Sequence, residues 1–234
     1  MLYSDGIRVA CLGADLYDAA RELFSDIWLN HNVLYRTAGI SRSDFGEYVD
    51  VLLARSAADS KTAAVALDTT QDPPLLVSVV FAKDLHFDPV AEKMKQLPKS
   101  LDPIFLFNQE ALEHFTDNNA LSYLNKAGNI VYFLHGGTRD DYAGRYCDGL
   151  SISTRAGAFL VSQWIQEGYV GSIGVSTHPE MIRRSELGVQ QDHQSICITT
   201  KPFSSWKYHG TRVFETIQGA AFVEFKSWQQ KSKI

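Results

Sequence analysis

His135 closes the run "NIVYFLHGG", and His178 follows "GSIGVST" directly before Pro179. An imidazole at the end of a buried strand can take a proton from an incoming nucleophile, directly or through water, or it can be a satisfied structural side chain. His178, beside a proline that suits the first turn of a helix, reads first as a neighbour of that helix start. The stretch "DGLSISTRAGAFLVSQWIQEGY", Asp148 to Tyr169, reads as a tight turn feeding a helix that stops at Gly168. The first peptide N–H groups of a helix lack internal partners and carry the positive end of its dipole, so small residues in the turn let a phosphate group approach. Asp and Ser also start helices that hold no ligand, and both readings stand. Cys147, next to the turn, has no charged partner at a diagnostic spacing and reads as a half-buried, inert thiol.

The elements that must position these groups follow from periodicity. "GIRVACL" reads as a first strand; Leu16, Ala20, Leu23, Phe24 and Ile27 then recur at helical spacing behind a cap at Asp15. Phe45, Tyr48, Val49, Leu52 and Leu53 mark a second helix, with Ser43 or Asp44 as its cap. "TAAVALD" and "LLVSVVFAKD", separated by "TTQDPP", predict a β-hairpin. Between residues 85 and 127 the chain is mixed and punctuated by prolines, with one helix expected from about Phe107 to Phe115. "NIVYFLHGG" predicts a buried strand and "SISTRAGAFLVSQWIQE" a helix whose stripe is Ile152, Ala156, Phe159, Leu160 and Trp164. "GSIGVST" predicts a strand, "PEMIRRSEL" a short helix, and "SICITTKPF" and "AAFVEFKSW" two closing strands. Trp206, Tyr208 and Phe214 can line a pocket with Tyr35 or can pack a hairpin.

Composition excludes several classes of function. The 234 residues are 45% hydrophobic and 21% charged, the balance of an ordinary globular protein, and one domain over 1–234 is the economical reading. A net charge of −5 offers no surplus of Lys and Arg for nucleic acid or anionic lipid. The 3 cysteines are far apart, with neither a CxxC nor a Cys/His cluster, so no metal site and no disulfide framework are expected. No basic start leads into an apolar run and no stretch is long enough to span a membrane, so a cytoplasmic location is expected.

The order of elements resembles the GNAT acyltransferase fold, an α/β (α+β) arrangement with a mixed, mostly antiparallel central sheet of about seven strands and helices on both faces. "YCDGLSISTRAGAFLVSQWIQEGY" is similar in spacing to the acyl-CoA motif of that superfamily, and "STHPEMIRRSELGV" to the stretch after the next strand. "ARELFSDIWLNHNVLYRTAGISRSDFGEYV" resembles the arylalkylamine N-acetyltransferase-like branch, where two helices and their link wall the amine pocket. The likeness spans most of the chain except residues 85–127.

This resemblance implies an acyl-CoA-dependent N-acyltransferase, with acetyl-CoA or another acyl-CoA as co-substrate, a small primary amine as partner, and room for a homodimer. It implies that the "NIVYFLHGG" and "GSIGVST" strands lie parallel and splay to admit the acyl chain, with His135 as the candidate base and His178 as a second. A pyrophosphate would lie over Leu150, Ser151, Ile152 and Ser153, with Arg139, Arg145 or Arg155 offsetting Asp148, which stands where the motif has a cation. Arg184 falls where many members carry the tyrosine that protonates the thiolate; its cation can stabilise that thiolate but not protonate it. Asp148 and Arg184 together keep two alternatives open: a GNAT-like binding or regulatory protein without transfer, and an acyltransferase fed by a carrier-protein thioester.

Overall fold

The computed structural model describes residues 1–118, 130–177, 196–209, 211, 213, 214 and 220–227. In chain order the elements are β1 (Ile7–Cys11), α1 (Tyr17–His31), α2 (Val33–Thr37), α3 (Arg42–Ala58), β2 (Ala63–Asp68) and β3 (Leu75–Asp84). They continue with α4 (Ala91–Met94), α5 (Asp102–Asn118), β4 (Ile130–Thr138), β5 (Tyr146–Cys147) and β6 (Leu150–Ser151). Last come α6 (Ile152–Gln166), β7 (Gly171–Ser176), β8 (Ile196–Pro202) and β9 (Ala220–Ser227). Among the described residues no helix is long and apolar enough to cross a membrane.

Seven strands form one sheet in the order β1-β2-β3-β4-β7-β9-β8. Every neighbouring pair is antiparallel except β4 and β7. Alternation along β2 divides its side chains between two cores. Ala63, Val65 and Leu67 join Phe24, Phe45, Tyr48 and Leu52 from α1 and α3 on one face. Ala64 and Ala66 join Ile152, Ala156, Leu160 and Trp164 of α6 on the other. The expected α6 stripe is therefore the buried one, with Phe159 packed at its margin.

Local chemistry moves several element boundaries. Ser41, not Ser43 or Asp44, caps α3: its hydroxyl accepts from the Asp44 N–H at 3.0 Å, which leaves Asp44 in the first turn where a carboxylate favours the dipole. Asp15 does not cap α1, because Ala14–Leu16 form a 3-10 turn and α1 begins after it with no side-chain cap. Asn32 breaks the link after α1 and caps α2, accepting from Leu34 N at 3.0 Å and Tyr35 N at 3.3 Å. α5 is longer than the expected Phe107 to Phe115 helix. Pro103, which reads as a break, lies in its first turn, where a missing N–H does no harm, and Ile104, Phe107, Ala111 and Phe115 bury its inner face.

The geometry that matters most lies at the centre of the sheet. β4 pairs with β3 from Ser78↔Thr138 to Phe81↔His135, then resumes at Ala82↔Phe133, so Leu134 is an extra residue, a β-bulge. On its other side β4 pairs with β7 only from Ile130↔Gly171 to Phe133↔Gly174. β4 follows β3 as far as Thr138 while β7 follows β9 as far as Ser176. The two parallel strands therefore part at the bulge.

Candidate active site

A V-shaped opening between parallel strands parts their facing edges among the described residues, and an extended chain can pair with such an edge. His135 is the first residue past the bulge, and the pleat sends its side chain toward α1, α2 and α3. There it meets an aromatic wall: ring centroids lie 4.2 Å away for Trp28, 5.4 Å for Tyr48 and 5.9 Å for Phe24, with Tyr35 at 6.2 Å. The Tyr48 hydroxyl and His135 Nε2 are 2.6 Å apart, and both side chains are buried. Burial pushes the imidazole down to about 3, with the Arg55 guanidinium adding to the effect, so the ring is neutral at ordinary pH. Burial also raises the phenols of Tyr35 and Tyr48 well above their usual range, so both keep their protons. Three polar atoms around this ring, His135 Nδ1, Trp28 Nε1 and Tyr35 Oη, are buried without a hydrogen-bond partner among the described residues. At the mouth, Asn32 Nδ2 makes a long contact of 3.5 Å with Thr177 Oγ1, joining the start of α2 to the residue after β7.

The turn before α6 differs from the expected one. Tyr146↔Ser151 and Cys147↔Leu150 form a small hairpin, and Asp148 and Gly149 are its two central residues with φ of 54° and 76°. Asp-Gly is a favoured pair for a two-residue turn with both φ positive. Asp148 is thus neither a helix cap nor a residue beside the first turn of α6. Ser151 is the cap: its hydroxyl accepts from the Thr154 N–H at 3.3 Å and lies 2.7 Å from Thr154 Oγ1 and 3.4 Å from Ser153 Oγ. Ile152 is buried in the α6 core and Leu150 is exposed. Arg145 lies over the Tyr142 ring at 4.0 Å and remains at the surface. Arg155 is fully buried and grips Asp5 at 2.9 Å, lying 4.7 Å over the Tyr3 ring, so its charge is committed away from the turn. Its hydrogen bond to Asp5 holds that carboxyl below the usual range against the cost of burial.

Leu150, Ser151, Ile152 and Ser153 thus stand together at the start of α6, with Arg145 at the surface over Tyr142 and Arg155 turned inward. His178 and Arg184 lie outside the described residues. Cys147 is half-buried, its sulfur 3.4 Å from Ser4 Oγ. Trp206 and Phe214 stack on each other and meet Phe107 edge-on as core, whereas Tyr35 belongs to the wall around His135. Tyr48 and Trp28 are the site residues that sequence reasoning missed. Tyr48 fell on the apolar stripe of α3, where only its polar tip, unusual on a fully buried face, marked it out.

Because the Ser151 hydroxyl satisfies one orphan donor, Ser151→Ala is expected to lower stability by about 1 kcal/mol. For a chain of this length that corresponds to a fall of roughly 2–4 °C in melting temperature. Calorimetry checks it; an unchanged melting temperature would show that the cap is dispensable.

Comparison with known proteins agrees with this geometry. The C-terminal condensation domain of Ebony, solved in complex with beta-alanyl-dopamine, superposes with a TM-score of 0.77 at 14% identity, over 97% of this chain and 100% of that one. A mosquito arylalkylamine N-acetyltransferase like 5b gives 0.70 at 16% identity, over 94% and 99%. A Drosophila melanogaster polyamine N-acetyltransferase, described as catalysing the formation of N-acetylagmatine, gives 0.65 at 17%, over 94% and 98%. No family model and no curated protein matches the sequence. The chain has the fold of the GNAT acetyltransferases, with the expected mixed, mostly antiparallel sheet and helices on both faces.

Proposed function

We propose that the protein transfers an acyl group from a thioester to a small primary amine, as an N-acyltransferase of the GNAT type. The observation that carries this reading is the parting of β4 and β7 at the Leu134 bulge, which opens an edge for the thioester arm directly beside His135. The amine enters from the aromatic wall of Trp28, Tyr35 and Tyr48, and its lone pair attacks the thioester carbonyl carbon. The carbonyl pair moves to oxygen and returns as the carbon–sulfur bond breaks, and the thiolate leaves. The proton lost by nitrogen ends on sulfur by way of water, giving amide and thiol. In this proposal His135 acts at the reacting centre, with His178 and Arg184 as further candidates from the stretch after β7. The location proposed is cytoplasmic, with no nucleic acid or membrane partner, and a homodimer is compatible with it.

Two donors suit this edge. Acetyl-CoA or another acyl-CoA would lay its pantetheine arm along β4 and its pyrophosphate over Leu150 to Ser153, with Arg145 nearby. A carrier-protein thioester presents the same arm without a free nucleotide. The second is favoured by the Ser151 cap, the inward turn of Arg155 and the Asp148 hairpin, which together leave the start of α6, among the described residues, poorer in cationic groups than a pyrophosphate needs. A loss of transfer altogether, leaving a binding protein, is the reading that the following assay opposes.

The test is release of free thiol when the protein is offered aryl and aliphatic amines with acetyl-CoA, longer acyl-CoAs, or an acyl-loaded carrier domain. Amide formation with any donor supports the proposal; thioester left intact by all three sinks it. The pH profile is a second expectation. With His135 neutral from about pH 4 upward, kcat/KM is expected to rise with deprotonation of the amine itself and to show no inflection near 6.5. An inflection there that disappears in His135→Phe would contradict this.

A further inference from the structure

Tyr48 and His135 make a buried pair whose shared hydrogen bond can run in only two directions, and the strengths of donor and acceptor separate them. If Nε2 carries the proton and donates to Tyr48 Oη, the Tyr48 hydrogen has no acceptor and the Nδ1 lone pair has no donor. If Tyr48 donates to Nε2, the Nδ1–H has no acceptor and the lone pairs of Tyr48 Oη have no donor, so each arrangement leaves one donor and one acceptor unmet. No other hydrogen bond is made by either side chain among the described residues, and Nδ1 is buried without a partner. The phenol is a more acidic donor than a neutral imidazole N–H, and the imidazole lone pair is a more basic acceptor than a phenol oxygen, so the bond from Tyr48 to Nε2 is the stronger of the two. The separation of 2.6 Å fits a hydroxyl donating to a nitrogen lone pair.

From this, and resting on the transferase reading for its catalytic part, we infer that Tyr48 is a positioning residue that fixes His135 as its Nδ1–H tautomer. The ring then serves transfer as a hydrogen-bond donor and not as the base that removes the amine proton. In that tautomer the lone pair of Nε2 is engaged and Nδ1 has none to offer. The remaining N–H, buried and without a partner among the described residues, is the donor assigned to the carbonyl oxygen, which gains charge as the amine adds. A neutral donor in a water-poor site stabilises such an oxyanion without having to reorganise. The groups around the ring agree with this role. Trp28 and Phe24 of α1, Tyr35 of α2 and Tyr48 of α3 are uncharged, and the charged group acting on the ring, Arg55 of α3, disfavours its protonation.

Nitrogen-15 NMR of the histidine-labelled free protein tests the tautomer without any substrate. The expected result is one His135 signal pair with the proton on Nδ1, unchanged from pH 5 to pH 8, assigned by its absence in His135→Phe. A proton on Nε2, or a ring that titrates in that range, overturns the inference even if transfer is confirmed. In Tyr48→Phe, checked for native fold by near-ultraviolet circular dichroism, the preference for Nδ1–H is expected to be lost. With an active donor and amine pair, kcat of that variant is expected to fall by about ten- to a hundredfold, as for other groups that orient a functional histidine, with KM for the thioester unchanged. A tautomer that survives the substitution, or an unchanged kcat, removes Tyr48 from the positioning role. Should no amine and thioester pair react, the transferase reading fails while the spectrum still decides the tautomer.

Discussion

Asp88→Ala is expected to destabilise the protein by about 3–5 kcal/mol, because it strands a buried guanidinium. Arg55 lies on the inner face of α3 with its side chain only 2% exposed, and it grips Asp88 in a fork of 3.0 and 2.7 Å. Its Nη1 already lacks a partner among the described residues, which offer no spare acceptor once Asp88 is gone. Lys83 stands 3.9 Å from the same carboxylate, and burial pushes its ammonium below the ordinary lysine value. Burial by itself would raise the Asp88 carboxyl; the hydrogen bonds and charge of Arg55 reverse this and hold it below the usual range. That stabilisation is present above the normal carboxylate pKa and is lost as pH falls through the depressed one. Urea unfolding at pH 7 measures the effect. Arg55→Met combined with Asp88→Leu should recover most of the loss, since no charge is left behind. A single-variant loss below about 1 kcal/mol would place the pair with exposed salt bridges instead. The site feels this anchor as well: Arg55 follows Tyr48 by two helical turns, so the fork to Asp88 helps fix the face of α3 that meets His135.

What sequence could and could not reveal divides along the range of the interactions. Strands β2, β3, β4 and β7 and the stripe of α6 are set by local periodicity, and all appear where apolar runs and turn residues place them. The parallel, splayed relation of β4 and β7 came from resemblance, because no local pattern tells a strand which neighbour it will leave or where. The Leu134 bulge was invisible for the same reason: it exists only as a mismatch of register with Phe81 and Ala82. Ser41 was missed because Ser41, Ser43 and Asp44 are all good caps, and only the path of the chain into α3 chooses among them. "DG" was read as part of a helix start although it is also a strong hairpin signal; the flanking pairs Tyr146–Cys147 and Leu150–Ser151 are too short for alternation to declare itself. Arg155 shows the limit most plainly. Its position in the motif suggested a phosphate ligand, while its actual partner, Asp5, is 150 residues away in sequence. His135 was found from its place at a strand end, but its chemistry depends on Tyr48, 87 residues earlier.

The stability of the protein is expected to fall steeply as the pH is lowered from about 6.5 toward 3, and His135 is the residue expected to account for the upper part of that fall. In the unfolded chain an imidazole binds a proton near its ordinary value of about 6.5, whereas in the fold burial first, and Arg55 second, push it down to about 3. A group whose folded pKa is depressed stabilises the fold above its unfolded pKa. That contribution disappears as pH drops between the two values, because the unfolded state then binds the extra proton. The limiting slope for one such group is about 1.4 kcal/mol per pH unit, so roughly 2 kcal/mol should be lost between pH 6 and pH 4 through His135 alone. That window lies above the depressed carboxyls of Asp5, Asp68 and Asp88, whose contributions fail only at lower pH. Urea midpoints measured across it for the wild type and for His135→Phe isolate the term, since every other histidine is common to both. The variant starts lower by the lost Tyr48 hydrogen bond and should follow a slope shallower by close to one proton. Parallel curves would mean that the ring is hydrated and titrates normally in the fold, and with it would fall the reading of His135 as a buried neutral donor beside the bulge.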